Sequence, residues 1–209
     1  MDVSTSRGGQ RPRSRAAGRT RWTAAAVWWG LGAVSCAATG DAVPAAVPSD
    51  LPVQSKAPDE VLHDNPDWRA RYREVHIEPE AIRALVDAPP GARVVILYGV
   101  WCPDSRYAVP VLWRAFDEAR ERADEAPSAE GGDSGLPFEV VHVDVDEDKA
   151  SSTFDLAPYD LKYVPTVIVY RQGEEVGRIV ETAPNGVLTD FINLLYGSTT
   201  GVVSARDDL

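Results

Sequence analysis

Apolar positions in this chain fall into clear rhythms from about residue 66 onward and into almost none before it. Val94-Val95-Ile96-Leu97-Tyr98 is uniformly apolar and short, which predicts a parallel strand covered on both faces. After it, Val109, Leu112, Trp113 and Phe116 keep the i, i+3, i+4, i+7 spacing of a buried helical stripe, so a helix is predicted from Cys102 to about Ala123. Pro110 interrupts that helix and is expected to bend it. Phe138–Val145 reads as the next strand and Asp146–Lys149 as the turn off its end. A short helix is expected over part of Ser151–Tyr159. Thr166–Tyr170 and Glu175–Val180 flank Gln172-Gly173, a hairpin signal. A last helix from about Asn185 to Tyr196 gathers Leu188, Phe191, Ile192 and Leu195, and Gly197 stops it. Ahead of the first strand, Trp68, Tyr72 and Val75 precede a helix over Glu78–Val86, which Ala88-Pro89-Pro90-Gly91 breaks. Strands alternating with helices in this order predict an α/β domain.

The patternless part has its own organisation. Arg7, Arg11, Arg13, Arg15, Arg19 and Arg21 form a basic stretch, and Trp22–Ser35 follows without a charge. That run is short of the roughly 20 apolar residues a membrane span needs, and it has the build of a signal peptide over residues 1–35. Ala33-Val34-Ser35-Cys36 puts small residues before a cysteine and resembles a bacterial lipobox, with Ala33 where that motif usually has Leu. Cys36 is therefore expected to be the lipidated N-terminus of an envelope-located protein. Cleavage near Ala37 and an uncleaved anchor are the other two readings. Residues 36–66 are rich in Ala, Pro and acids, and are expected to be a disordered tether reaching roughly 30 Å. The folded domain is placed at 67–197, and 198–209 is expected to be a flexible tail.

Charge changes the picture of partners. The whole chain carries a net −11, and removal of residues 1–35 would leave −16. So acidic a surface argues against nucleic acid and against electrostatic attraction to anionic lipid; membrane contact should come from the lipid on Cys36. There are only two cysteines, Cys36 and Cys102. With Cys36 capped, the domain would hold one free thiol and no structural disulfide.

That thiol sits in Trp101-Cys102-Pro103-Asp104-Ser105, where the first strand feeds the long helix. A helix N-terminus carries unpaired N–H groups and partial positive charge, and both stabilise a thiolate. The carboxylate of Asp104 opposes this. Downstream, Tyr163-Val164-Pro165-Thr166 leads into an apolar strand. With these two elements, and with Pro110 eight residues after Cys102, the chain resembles the thioredoxin family over roughly residues 67–197. Pro66-Asp67-Trp68…Tyr72 and the Trp-Cys-x-Asp-Ser motif narrow the likeness to exported bacterial thioredoxin-like proteins whose second cysteine is commonly serine.

The resemblance implies a thioredoxin-like α/β fold, a central mixed β-sheet flanked by helices on both faces. It also implies a cis bond before Pro165 and a loop laid against the active sulfur, with the backbone of Val164 pairing with client peptide. Trp101 and Pro103 would shape the client surface. Cys102 would be the nucleophile at an exposed strand-to-helix corner. Ser105 stands where the family has its resolving cysteine; its hydroxyl could donate to the Cys102 thiolate but cannot displace a substrate sulfur. Ile96 stands where many thioredoxins keep a buried acid. Arg106, read from its own place just inside the helix, could aid thiolate formation or pair with Asp104, and the pairing is the expectation.

Other constellations are weaker. Asp144, Asp146 and Asp148 alternate like the start of a calcium loop, but Lys149 and Asp155 stand where that loop needs Gly and Glu. His63, His76 and His142 are scattered, and His142 reads as a core-edge histidine. No metal and no cofactor is expected. The function expected is thiol–disulfide exchange through one cysteine, on protein or small-molecule disulfides. The rival is a non-catalytic module that holds client peptides in the same groove. Nothing in the chain supports a third role, electron transfer in cytochrome maturation.

Overall fold

Val94, Val95, Ile96, Leu97 and Tyr98 are all 0% exposed, so the apolar run is covered on both faces. It lies in β1 (Ala92–Tyr98) of a computed structural model that describes residues 57–125, 135–152 and 154–208. All of these fall within one compact unit, Ala42–Leu209. The expected signal peptide, Cys36 and the first part of the tether lie outside the described residues.

Among the described residues, five α-helices and five strands follow in the order α1 (Pro58–Asp64), α2 (Pro66–Glu74), α3 (Pro79–Val86), β1, α4 (Pro103–Glu125), β2 (Phe138–Asp144), a 3-10 helix (Ala157–Tyr159), β3 (Thr166–Arg171), β4 (Glu174–Val180), α5 (Val187–Leu195) and β5 (Gly201–Val203). The sheet order is β2-β1-β3-β4-β5. β1 runs parallel to β2 and antiparallel to β3, β3 and β4 form the hairpin, and β5 adds parallel to β4. At the hairpin, Gln172 and Gly173 both have positive φ (54° and 85°), the conformation a two-residue turn of this hand requires.

Alternation along the strands divides the core. Val94, Ile96, Tyr98, Val167 and Val169 face a large core filled by residues of all five α-helices, including Trp68, Leu85, Trp113, Phe116 and Phe191. Val95, Leu97, Val143, Ile168 and Tyr170 face a smaller core that contains Cys102, Tyr159 and Val164. The α/β mixed-sheet architecture is the expected one. The second face, however, carries the three-residue 3-10 helix where an α-helix over part of Ser151–Tyr159 was expected. It ends where Asp160 takes a left-handed backbone, φ 45°.

Two domain boundaries need correction. Packed structure is already present at Pro58, ahead of the expected start at residue 67. Val61 is 1% exposed and packs in the main core, and Arg69 donates to the terminal carbonyls of α1, Leu62 at 3.2 Å and His63 at 3.0 Å. Nor is the C-terminal segment free. β5 extends the sheet, Ser204 Oγ donates to the Val180 carbonyl at 2.9 Å, and the Ala205 N–H donates to Thr182 at 2.7 Å.

Candidate thiol site

β1 ends at Tyr98, and beyond a short corner Pro103 opens α4 at the position where a missing N–H costs nothing. Gly99 makes the corner possible. A Cβ there would lie 2.5 Å from Trp101 Nε1, so only glycine leaves room for the indole. Trp101 Nε1 donates to the Val145 carbonyl at 3.0 Å, fixing the ring while 42% of the residue stays exposed. The Cys102 N–H donates to Gly99 O and the Arg106 N–H to Cys102 O, each at 3.0 Å. Cys102 is thus the residue from which α4 starts.

Its sulfur faces the other chemically distinctive segment. The Val164–Pro165 peptide bond is cis, and Cys102 Sγ–H donates to the Val164 carbonyl at 3.2 Å. Residues 62 positions apart therefore meet at one point. Val164 and Pro165 are buried, and Pro103 and Asp104 are exposed. Cys102 itself is only 6% exposed, not the open corner residue expected from its neighbours, because the Val164 loop and the second core close over it.

Ser105 is 0% exposed, and its Oγ accepts the Gly99 N–H at 3.3 Å, so it braces the corner. The hydrogen-bond partner of the Cys102 sulfur is the Val164 carbonyl and not the Ser105 hydroxyl expected there. Arg106 also departs from expectation: it pairs with Asp67 of α2 at 3.1 Å and not with Asp104. Residues i and i+2 point to different sides of a helix, whereas α2 lies along the start of α4. Ile96, where many thioredoxins keep an acid, is fully buried among apolar side chains.

The sequence pattern did not single out several supports. Trp68 Nε1 donates to the Val100 carbonyl at 3.3 Å, and Arg71 Nε donates to Tyr107 O at 3.3 Å while lying 4.3 Å from the Tyr107 ring centre. Through these contacts α2 holds the turn that presents the thiol. Beneath α4, the rings of Trp68, Tyr98 and Trp113 pack at 5.5–5.6 Å. Burial, with help from the Asp144 and Glu60 charges, pushes the Tyr98 hydroxyl pKa upward and keeps it neutral. His142 is the buried histidine expected. Its Nδ1 accepts Trp113 Nε1–H at 3.1 Å, and burial, then the charge of Arg120, lowers its pKa to about 4.

Asp146 closes the turn after β2 on itself, its carboxylate accepting the Ala150 N–H at 2.8 Å. Among the described residues no group of three His, Cys, Asp or Glu side chains is placed to hold a metal ion, and no helix is long and apolar enough to cross a membrane.

A mixed sheet whose first strand delivers one thiol to a helix start, opposite a cis-proline loop, defines a thioredoxin-like fold. No family model matches the chain. It is similar to thioredoxin from Staphylococcus epidermidis, in two strains, at 24% identity over 103 residues, 49% of this chain and 81% of the relative. A Pseudomonas aeruginosa protein of unknown function aligns with a TM-score of 0.44 at 12% identity, over 68% of this chain and 85% of its own. The Edwardsiella tarda protein Trxlp aligns with a TM-score of 0.30 at 20% identity, over 57% and 94%.

Proposed function

We propose that this protein is a single-thiol disulfide-exchange protein. The observation that carries the reading is the meeting of Cys102 Sγ with the Val164 carbonyl beside a cis Val164–Pro165 bond, at the first turn of a long helix. In the proposed step the Cys102 thiolate attacks one sulfur of a client disulfide. A Cys102–client disulfide forms, the client's own S–S bond breaks, and the second client sulfur leaves as a thiolate. The Val164 loop aligns the client backbone, and Trp101 and Pro103 form the adjoining surface. Ser105 cannot expel the client, so an outside thiol completes the exchange. The similarity to thioredoxin supports redox chemistry of this type. Cys36 as a lipid anchor and export to the cell envelope belong to the same proposal; the mass of the mature N-terminus tests them.

One finding favours the rival reading of a peptide-holding module: Cys102 is only 6% exposed. Incubating the folded full chain with bis(2-hydroxyethyl) disulfide separates the two. A persistent adduct mapped to Cys102, released only by added thiol, is the expected result. Adduct formation only after denaturation would sink the exchange reading and leave the binding module.

A further inference from the structure

The C-terminal strap and the cis-proline loop are joined by one side chain. Arg206 lies three residues beyond β5, and its guanidinium carbon stands 4.0 Å from the centre of the Tyr163 ring. Its Nη1 donates to Glu181 Oε2 at 2.7 Å, while Nε and Nη2 hold the two oxygens of Asp208 at 2.8 Å each. Nη2 also reaches Tyr163 Oη at 3.4 Å. The cation therefore grips the loop from two directions. Tyr163 is the residue before Val164, and its carbonyl accepts Thr166 Oγ1–H at 2.6 Å. Glu181 sits on the far side, where its N–H donates to the Pro165 carbonyl at 2.7 Å. Glu181 has φ 58°, a left-handed conformation that favours glycine, so something must hold it there. Its N–H on the Pro165 carbonyl and its carboxylate on Arg206 both hold it.

Both ends of the loop thus answer to one guanidinium. The Val164 carbonyl is aimed at Cys102 Sγ from this loop, and Tyr163 and Glu181 bracket the Val164–Pro165 peptide. We propose that Arg206 is a positioning residue: it clamps the Tyr163–Thr166 loop in the place where a client peptide backbone must align with the Cys102 sulfur. The proposal rests on the exchange reading above and assigns the C-terminal segment a role in it. Arg206 touches neither the sulfur nor the alignment edge, so its effect should appear with clients that use a peptide backbone and vanish with disulfides that have none.

The experiment compares two probes on the full chain: bis(2-hydroxyethyl) disulfide, which has no peptide backbone, and a linear peptide disulfide. The rate of adduct formation at Cys102 is followed by mass for the unaltered chain, Arg206→Gln and Arg206→Lys. Arg206→Gln is expected to slow capture of the peptide probe by roughly tenfold, as misplacement of an aligning group does, and to leave the small probe within about twofold. Arg206→Lys should recover part of the loss, since an ammonium can still meet Glu181 but cannot fork across Asp208 as well. Equal slowing on both probes, or no slowing, overturns the proposal. Hydrogen exchange of the Glu181 amide supplies a readout independent of chemistry. It should quicken in Arg206→Gln, and unchanged protection would overturn the clamp. If the unaltered chain captures neither probe, the exchange reading falls, and with it the client-alignment role.

Discussion

Cys102 Sγ and the carbonyl oxygen of Val164 lie 3.2 Å apart, with the thiol donating and the peptide oxygen accepting. The sulfur is thus held by the same loop that would align a client. Replacement of Cys102 by Ser keeps a donor of nearly the same shape for that carbonyl. Cys102→Ser should abolish adduct formation while leaving stability within about 1 kcal/mol, as expected for a near-isosteric change. Adduct mass and a denaturant melt check the two halves. A large loss of stability would mean that the thiol has a packing role beyond this hydrogen bond.

Ser105→Cys would put a second sulfur one helical turn from the first. Ser105 is fully buried and its Oγ accepts the Gly99 N–H, and sulfur is a weaker acceptor, so the variant should lose about 1 kcal/mol. In exchange it should gain what the natural chain lacks. The introduced thiol should attack the mixed disulfide at Cys102, close an internal disulfide with it and release the client without added thiol. An adduct that persists as long as in the unaltered protein would show that the position does not face the sulfur even after side-chain rotation.

Gly99→Ala tests the corner itself. The added Cβ would meet Trp101 Nε1 at 2.5 Å and Cε2 at 2.6 Å, so the indole must leave its bond to Val145. Overpacking of this kind costs about 1–3 kcal/mol. Tryptophan emission should shift as the ring moves toward water, and adduct formation with peptide disulfides should slow. Unchanged emission and an unchanged rate would mean that the corner relaxes without moving the indole.

How much of this was readable in the sequence depends on where the determining contacts lie along the chain. β1, α4 and the β3–β4 hairpin were legible because their signals are local: an unbroken apolar run, a helical stripe and Gln172-Gly173. The meeting of Cys102 with the Pro165 loop was legible only through resemblance, since nothing in the spacing brings residues 62 positions apart together. α1 was hidden because its two apolar residues, Val61 and Leu62, are adjacent in an acidic Pro-rich setting and give no periodicity. β5 was hidden because three residues carry no period at all. Arg106 was assigned to its near neighbour Asp104, but helix geometry separates i from i+2, and the partner came from another helix. Ser105 was read for its chemistry, whereas from the first turn of α4 its oxygen accepts the N–H of Gly99, just past the end of β1.

His142 gives the fold an acid limit. Its pKa falls from 6.5 to about 4, first through burial and then through Arg120, so the folded state prefers the neutral ring that accepts Trp113 Nε1–H. Above the unfolded value the ring is neutral in both states and its contribution is fully present. As pH drops below 6.5 the unfolded chain binds a proton that the folded chain refuses, and stability declines until about pH 4. The loss from this group should reach about 3 kcal/mol at most. His142→Gln keeps an acceptor for the indole and cannot titrate, so its stability should vary less across that window. Denaturant melts of both chains between these pH values decide it; parallel profiles would assign the acid sensitivity to other groups.

The strand added by the C-terminal segment can be removed by a single methyl group. A Cβ at Gly177 would lie 2.5 Å from the Gly201 carbonyl oxygen and 2.7 Å from its nitrogen. Both are backbone atoms paired in register, Gly177 with Gly201, and neither can swing aside as a side-chain tip could. Gly177→Ala must therefore push β5 away from β4 or shift its register. Separation would expose Val203, which is 8% exposed in the fold, and would free the amides of the β4–β5 ladder. Hydrogen exchange should quicken from 201 to 205 and leave β1 protected, since β1 is separated from β5 by two strands. Arg206 follows the detached strand, so the same variant should also loosen Glu181 and favour the backbone-free disulfide over the peptide one, as Arg206→Gln does. Loss of protection throughout the sheet would instead mean that β5 is integral to the core; no loss anywhere would mean that the close approach at Gly201 is relieved without moving the strand.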